Sequence, residues 1–132
     1  KEVYKELLIN NFMEKTFEIG ILGNEKVNSE DFTVYINASQ KIVMETRFWI
    51  EFYIKNIDRI MNHAFQADEW KEICRKRSAV QFVTDFYHDL RLDQNLISTL
   101  DDRIVAIGVK EGGLPTEDIP KHIPDAHYWW FI

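Results

Sequence analysis

Three features of the sequence predict an all-α protein, a bundle of four to five helices with an extended, proline-containing C-terminal tail packed on it. Apolar residues recur at helical spacing through most of the chain. Glycine and proline are scarce, at 5 and 3 of 132 residues, while 29% of residues are charged. That balance suits helices with wet outer faces better than a loop-rich sandwich. Hydrophobic residues make up 45%, enough for a core. The length suits one domain, residues 1–132, with 110–132 as the tail.

The first helix is read from Val3, Tyr4, Leu7, Leu8, Phe12 and Ile19, and Gly20 or Gly23 is expected to end it. GILGNEKVNSED then reads as a loop. Ser29 is expected to cap the next helix, with Glu30 and Asp31 in the first turn, where carboxylates meet the positive helix end. The period continues from Phe32 through Tyr35, Ile36, Ile42, Val43, Trp49, Ile50, Tyr53, Ile54, Ile57, Ile60 and Met61 to Ala64. So long a run predicts one long helix or two joined near residues 37–40. The competing reading places strands at FTVYI and FWIEFYI, because period alone does not settle short apolar runs.

Asp68 is expected to cap a helix on which Trp70, Ile73, Cys74, Val80, Val83, Tyr87 and Leu90 share a side, with Phe82 and Phe86 widening the stripe. A last helix carries Leu92, Leu96, Ile97, Leu100, Ile104 and Ile107 and is expected to end near Gly108 or at Gly112–Gly113. Beyond it Pro115, Pro120 and Pro124 lack the amide that a helix or sheet uses. The chain then finishes on its most apolar stretch, HYWWFI.

The net charge of −6 and pI of about 5.2 disfavour a phosphate backbone as partner and favour a basic one. Residues 78–132 hold most of the surplus, with nine acidic against four basic groups. A single cysteine, Cys74, excludes an internal disulfide and fits a reducing compartment. No run approaches the length of an apolar membrane span, and no signal peptide is visible. A cytoplasmic protein is expected.

Catalytic signatures are missing: there is no G-x-S-x-G elbow, phosphate loop or dinucleotide fingerprint. Asp85-Phe-Tyr-His88 is a single copy of a pattern that di-metal bundles need twice. His122, Asp125 and His127 make a thin ligand set without cysteine. Cys74 has cations beside it, but its apolar side predicts a buried thiol. No catalytic residue, metal or cofactor is therefore expected. The cations Arg75 to Arg77 read as a salt-bridging, solvated helix face. Asp85, Asp89, Asp93, Asp101 and Asp102 are the candidate partner-binding surface. Clustered like charge costs stability, and a basic partner would relieve it. Trp129 or Trp130 is the candidate aromatic anchor, the alternative being that both cap the bundle core.

The segment GVKEGGLPTEDIPKHIPDAHYWWFI combines Gly-Leu-Pro, two Ile-Pro steps and His-Tyr-Trp-Trp. It resembles the C-terminal segments of small bacterial immunity proteins of the contact-dependent growth inhibition type. The likeness covers about the last 25 residues. It implies a cytoplasmic protein that neutralises the C-terminal toxin domain of a large secreted adhesin. Many such toxins are nucleases with basic clefts, which the immunity protein covers. Two other readings stay open from the residues. One is a non-inhibitory interaction module or regulatory adaptor; the other is an enzyme or metalloprotein with an unrecognised site.

Overall fold

The structure is a computed structural model that describes residues 11–21, 40–62, 67–86 and 92–132, with side chains over 47–59 and 68–85 in the two middle segments. Four helices account for most of these residues: α1 (11–21), α2 (Gln40–Asn62), α3 (Ala67–Phe86) and α4 (Gln94–Glu111). No strand occurs among the described residues, and the fold is an all-α bundle. The expected helix over residues 1–10, the Ser29 cap, the FTVYI stretch, Tyr87 and Leu90 lie outside the described residues.

α2 is described from Gln40 onward, and residues 37–39 of the expected junction lie outside the described residues. It contains FWIEFYI, so the strand reading fails there. A strand would bury Phe48 and Ile50 alike, two residues apart on one face. Instead Trp49, Ile50 and Ile57 are buried while Phe48 is exposed, which is the spacing of one helix face.

α1 buries Phe12, Met13, Thr16, Phe17 and Gly20. Gly20 does not stop the helix, which continues to residue 21. Its role is to let two helices approach. A Cβ at this position would fall on the Phe82 ring of α3. Phe17 completes that contact, with its ring centroid 6.2 Å from Phe82.

α3 is the central helix. Lys76, Arg77, Ser78, Ala79 and Val80 are all buried, and five consecutive residues go more than once around a helix. Trp70, Ile73, Cys74, Phe82 and Val83 extend the buried surface along it. The helix starts at Ala67, so Asp68 sits in the first turn with Glu69 rather than at the cap. Both carboxylates still meet the positive helix end.

α4 follows its sequence pattern closely. Asp93 caps it, with Oδ1 accepting the amides of Asn95 at 3.0 Å and Leu96 at 3.2 Å. Ile97, Leu100, Ile104 and Gly108 form the buried stripe. Gly112, at φ +84°, ends the helix by donating to the Gly108 carbonyl at 2.9 Å. Gly108 is also a packing position, since a Cβ there would stand 3.1 Å from both Trp70 and Ile132.

The tail lies on the bundle, as expected, and folds back on itself. Short 3-10 turns at Thr116–Asp118 and Tyr128–Trp130 interrupt the extended stretches. Leu114, Ile119, Ile123 and Ile132 pack against the core. The last residue returns to the start of the tail. A Cβ on Gly113, at φ +71°, would fall on the Ile132 carbonyl oxygen.

Candidate functional site

The tail meets α3 at one serine. Ser78 Oγ lies 2.8 Å from His127 Nδ1 and accepts the indole N–H of Trp129 at 3.0 Å and of Trp130 at 2.8 Å. Trp129 shares its N–H with the Cys74 carbonyl at 3.2 Å, and the Cys74 thiol faces the Trp129 carbonyl at 3.7 Å. The His127 ring stacks on Trp129 and tilts against Phe82, each at 4.9 Å between centroids. Ser78, His127, Trp129 and Trp130 are all buried. Burial lowers the His127 pKa from 6.5 to about 4, against a smaller opposing pull from Asp85.

Next to Ser78 in the chain, Arg77 forms a bidentate pair with Asp101 of α4, Nη2 to Oδ2 at 3.0 Å and Nε to Oδ1. Its guanidinium stands 4.3 Å above the Trp129 ring. Arg77 also donates to Gln81 at 3.0 Å, and Gln81 donates to Asp85 at 2.8 Å. A chain of hydrogen bonds thus joins Asp101 to Asp85 across two helices. The expectation of a solvated Arg75–Arg77 face is corrected here. Lys76 and Arg77 are buried, the first paired with Glu72 and the second with Asp101. Arg75 is half-buried, bound to Glu14 at 3.0 Å and lying over Phe17. Burial opposes ionisation of Glu72, yet Lys76 and Arg75 beside it hold its carboxyl below the usual range.

The five candidate aspartates divide by environment. Asp85 and Asp102 are exposed. Asp93 is the α4 cap and also faces Arg47 at 3.7 Å. Asp101 is held by Arg77. Asp89 lies outside the described residues.

Trp129 and Trp130 are core residues, so as exposed anchors they are corrected. The outward-facing aromatics of the tail are Tyr128 and Phe131, 45% and 50% exposed. Tyr128 opens the 3-10 turn and Phe131 caps it, its amide bonded to the Tyr128 carbonyl at 3.0 Å, while the tryptophans between them are buried. Burial, and then the Asp101 carboxylate, raise the Tyr128 phenol pKa, with Asp102 adding to the effect. Sequence reasoning treated HYWWFI as one apolar block and missed this division. A three-residue turn is too short to leave a periodic signal.

The nearness of Ser78 to His127 does not make a nucleophile. The hydroxyl is fully buried and already engaged by three rings. Burial also raises the Cys74 thiol pKa well above its ordinary value, so the thiol stays protonated. No group of metal-binding side chains occurs among the described residues. An open cleft of about 470 Å³ lies where α1 meets the tail, with Phe17, Ile21, Arg75, Lys121 and His122 among its walls. His122 stands there at φ +66°. No helix among the described residues is long and apolar enough to cross a membrane. Compared with protein-family models, curated proteins and solved structures, the chain finds no match.

Proposed function

We propose that this chain is a cytoplasmic immunity protein that neutralises a basic toxin domain, a nuclease by the resemblance of its tail, through stoichiometric binding. The observation that carries the reading is a surface where exposed aromatics adjoin unpaired acid. Tyr128 and Phe131 project from the tail, Tyr128 within the field of Asp102 on α4. Asp85 belongs to the same region through the Gln81–Arg77–Asp101 chain. Asp102, Glu111, Glu117, Asp118 and Asp125 have no ion pair among the described residues. Aromatic anchors supply affinity in such interfaces, and surrounding charge supplies rate and partner choice. A nuclease cleft offers the arginines and lysines that would answer these carboxylates.

The test is co-expression with the product of the adjacent upstream gene, followed by co-purification and a growth-protection assay. A stable complex and protection are expected from the native chain. Asp85→Lys/Asp102→Lys and Tyr128→Ala/Phe131→Ala should each weaken the complex at least ten-fold while leaving the fold intact. Undiminished binding by both double variants would remove this surface from the interface. Binding without protection would favour a non-inhibitory adaptor. Asp101→Lys is a poor probe, because it also unpairs the buried Arg77.

A further inference from the structure

Hydrogen-bond valence at Ser78 points to the protonation state of His127. A hydroxyl has one proton to donate and two lone pairs to accept with. Both indole nitrogens are donors only, so Trp130 takes one lone pair and Trp129, whose N–H also reaches the Cys74 carbonyl, shares in the other. The Ser78 proton is then directed at His127 Nδ1, which accepts it as the unprotonated nitrogen. The neutral ring keeps its hydrogen on Nε2, a buried atom without a hydrogen-bond partner. A second proton costs an existing contact. On Nδ1 it would compete with Trp129 for a lone pair of Ser78 and turn away the Ser78 proton, and the cation would be 1% exposed.

We propose that the C-terminal segment is a proton-released latch, in which protonation of His127 Nδ1 breaks the Ser78 junction and frees residues 114–132 from α3. The charged groups acting on His127 both belong to α3. Asp85 favours the cation and Arg77 opposes it. The other elements packed around the junction bring Phe17 of α1, against Trp130, and Asp101 of α4, which is bound to Arg77. None of these replaces the lost acceptor. The low pKa of the closed form, about 4 against 6.5, gives the direction. The open form binds the proton first, so the closed state is complete above about pH 6.5 and is lost as pH falls toward 4. The closed-to-open ratio falls about ten-fold per pH unit in that window, to a ceiling of about 300-fold. Tyr128 and Phe131 ride on the same segment, so the exposed aromatic face would disperse with it.

The experiment uses the protein alone. Nitrogen-15 NMR of the native chain at neutral pH should show His127 with its hydrogen on Nε2, titrating well below 6.5. Hydrogen exchange between pH 7.5 and 4.5, corrected for intrinsic rates, should show protection of residues 114–132 falling about ten-fold per unit below pH 6.5 while the centres of α3 and α4 hold. His127→Asn keeps an acceptor near the place of Nδ1 and does not titrate, so its tail protection should be flat. A hydrogen on Nδ1, an unshifted titration, or the same acid loss in His127→Asn would overturn the latch. So would loss in step across the whole chain, since the tail would then have no opening of its own. If His127→Asn does not fold, the tautomer, titration and exchange of the native chain decide.

Discussion

Two ion pairs on α4 lie two residues apart and do different work. Asp101 reaches inward to Arg77, with side chains 15% and 5% exposed; Arg103 reaches outward to Asp58, at 45% and 50%. The chemistry is the same, and the surroundings set its worth. Water answers either charge of the outer pair once the other is removed. Inside, Arg77 has Asp101, Gln81 and the Trp129 face as its answering groups. The inner pair therefore binds α3, α4 and the tail into one arrangement, while the outer pair decorates a surface.

Removing half of the inner pair is the largest test. Arg77→Ala strands Asp101 with little access to water and takes the cation off Trp129, and should cost about 3–5 kcal/mol. Asp101→Asn should approach that figure, because a neutral amide does not replace the charge. Urea denaturation followed by tryptophan fluorescence measures both, with an unchanged slope confirming that stability alone has moved. A loss below 1 kcal/mol for Arg77→Ala would mean that the inner pair is no different in kind from the outer one.

Ser78→Ala comes next. The change removes one oxygen and leaves the Trp130 indole N–H and His127 Nδ1 without their partner, while Trp129 keeps the Cys74 carbonyl. Buried orphans cost about 1–3 kcal/mol each, so a loss of roughly 2–4 kcal/mol is expected. The same variant should shrink the acid sensitivity of the tail, since His127 then has no hydroxyl to clash with. Cys74→Ala keeps the Cys74 carbonyl and serves as the comparison: it trims a small buried side chain and leaves the Ser78 junction in place.

The contrast also explains what was legible in the sequence. The apolar stripe of α4 and its end at Gly112 were readable, because both are local signals, but its start was not: Leu92 was expected inside the helix and Asp93 on a partner surface, whereas Asp93 is the cap. The buried apolar residues of α3 were readable for the same reason. Lys76 and Arg77 were misread as solvated, because their burial depends on partners. Glu72 is one turn away, but Asp101 is 24 residues distant, and no local pattern announces it. Gly20 misled in the opposite sense. A glycine inside a helical pattern looks like a stop, but the Phe82 ring packed against it requires a residue without a Cβ there; Gly23, the other expected stop, lies outside the described residues. The acidic series was visible as composition, yet only packing separates Asp101, bound inside, from Asp102, its exposed neighbour. The tail was legible as an apolar arm laid on the bundle. Which of its aromatics face inward was not, since a 3-10 turn of three residues sorts them.

The smallest expected effect belongs to the outer pair. Arg103→Ala breaks the contact with Asp58, which joins α4 to α2 across the surface. Exposed pairs contribute about 0–1 kcal/mol, and ordering two long side chains offsets part of that. The loss should therefore stay under about 1 kcal/mol at low salt and fade further in 0.5 M NaCl, where charges on the surface are screened. The Arg77→Ala loss should persist in the same salt, because ions do not reach the buried site. Measuring both variants at both ionic strengths separates burial from mere proximity of charge. Parallel salt dependence would show that Arg77 and Asp101 are as wet as Arg103 and Asp58, and the inner pair would then have no claim to hold the tail in place.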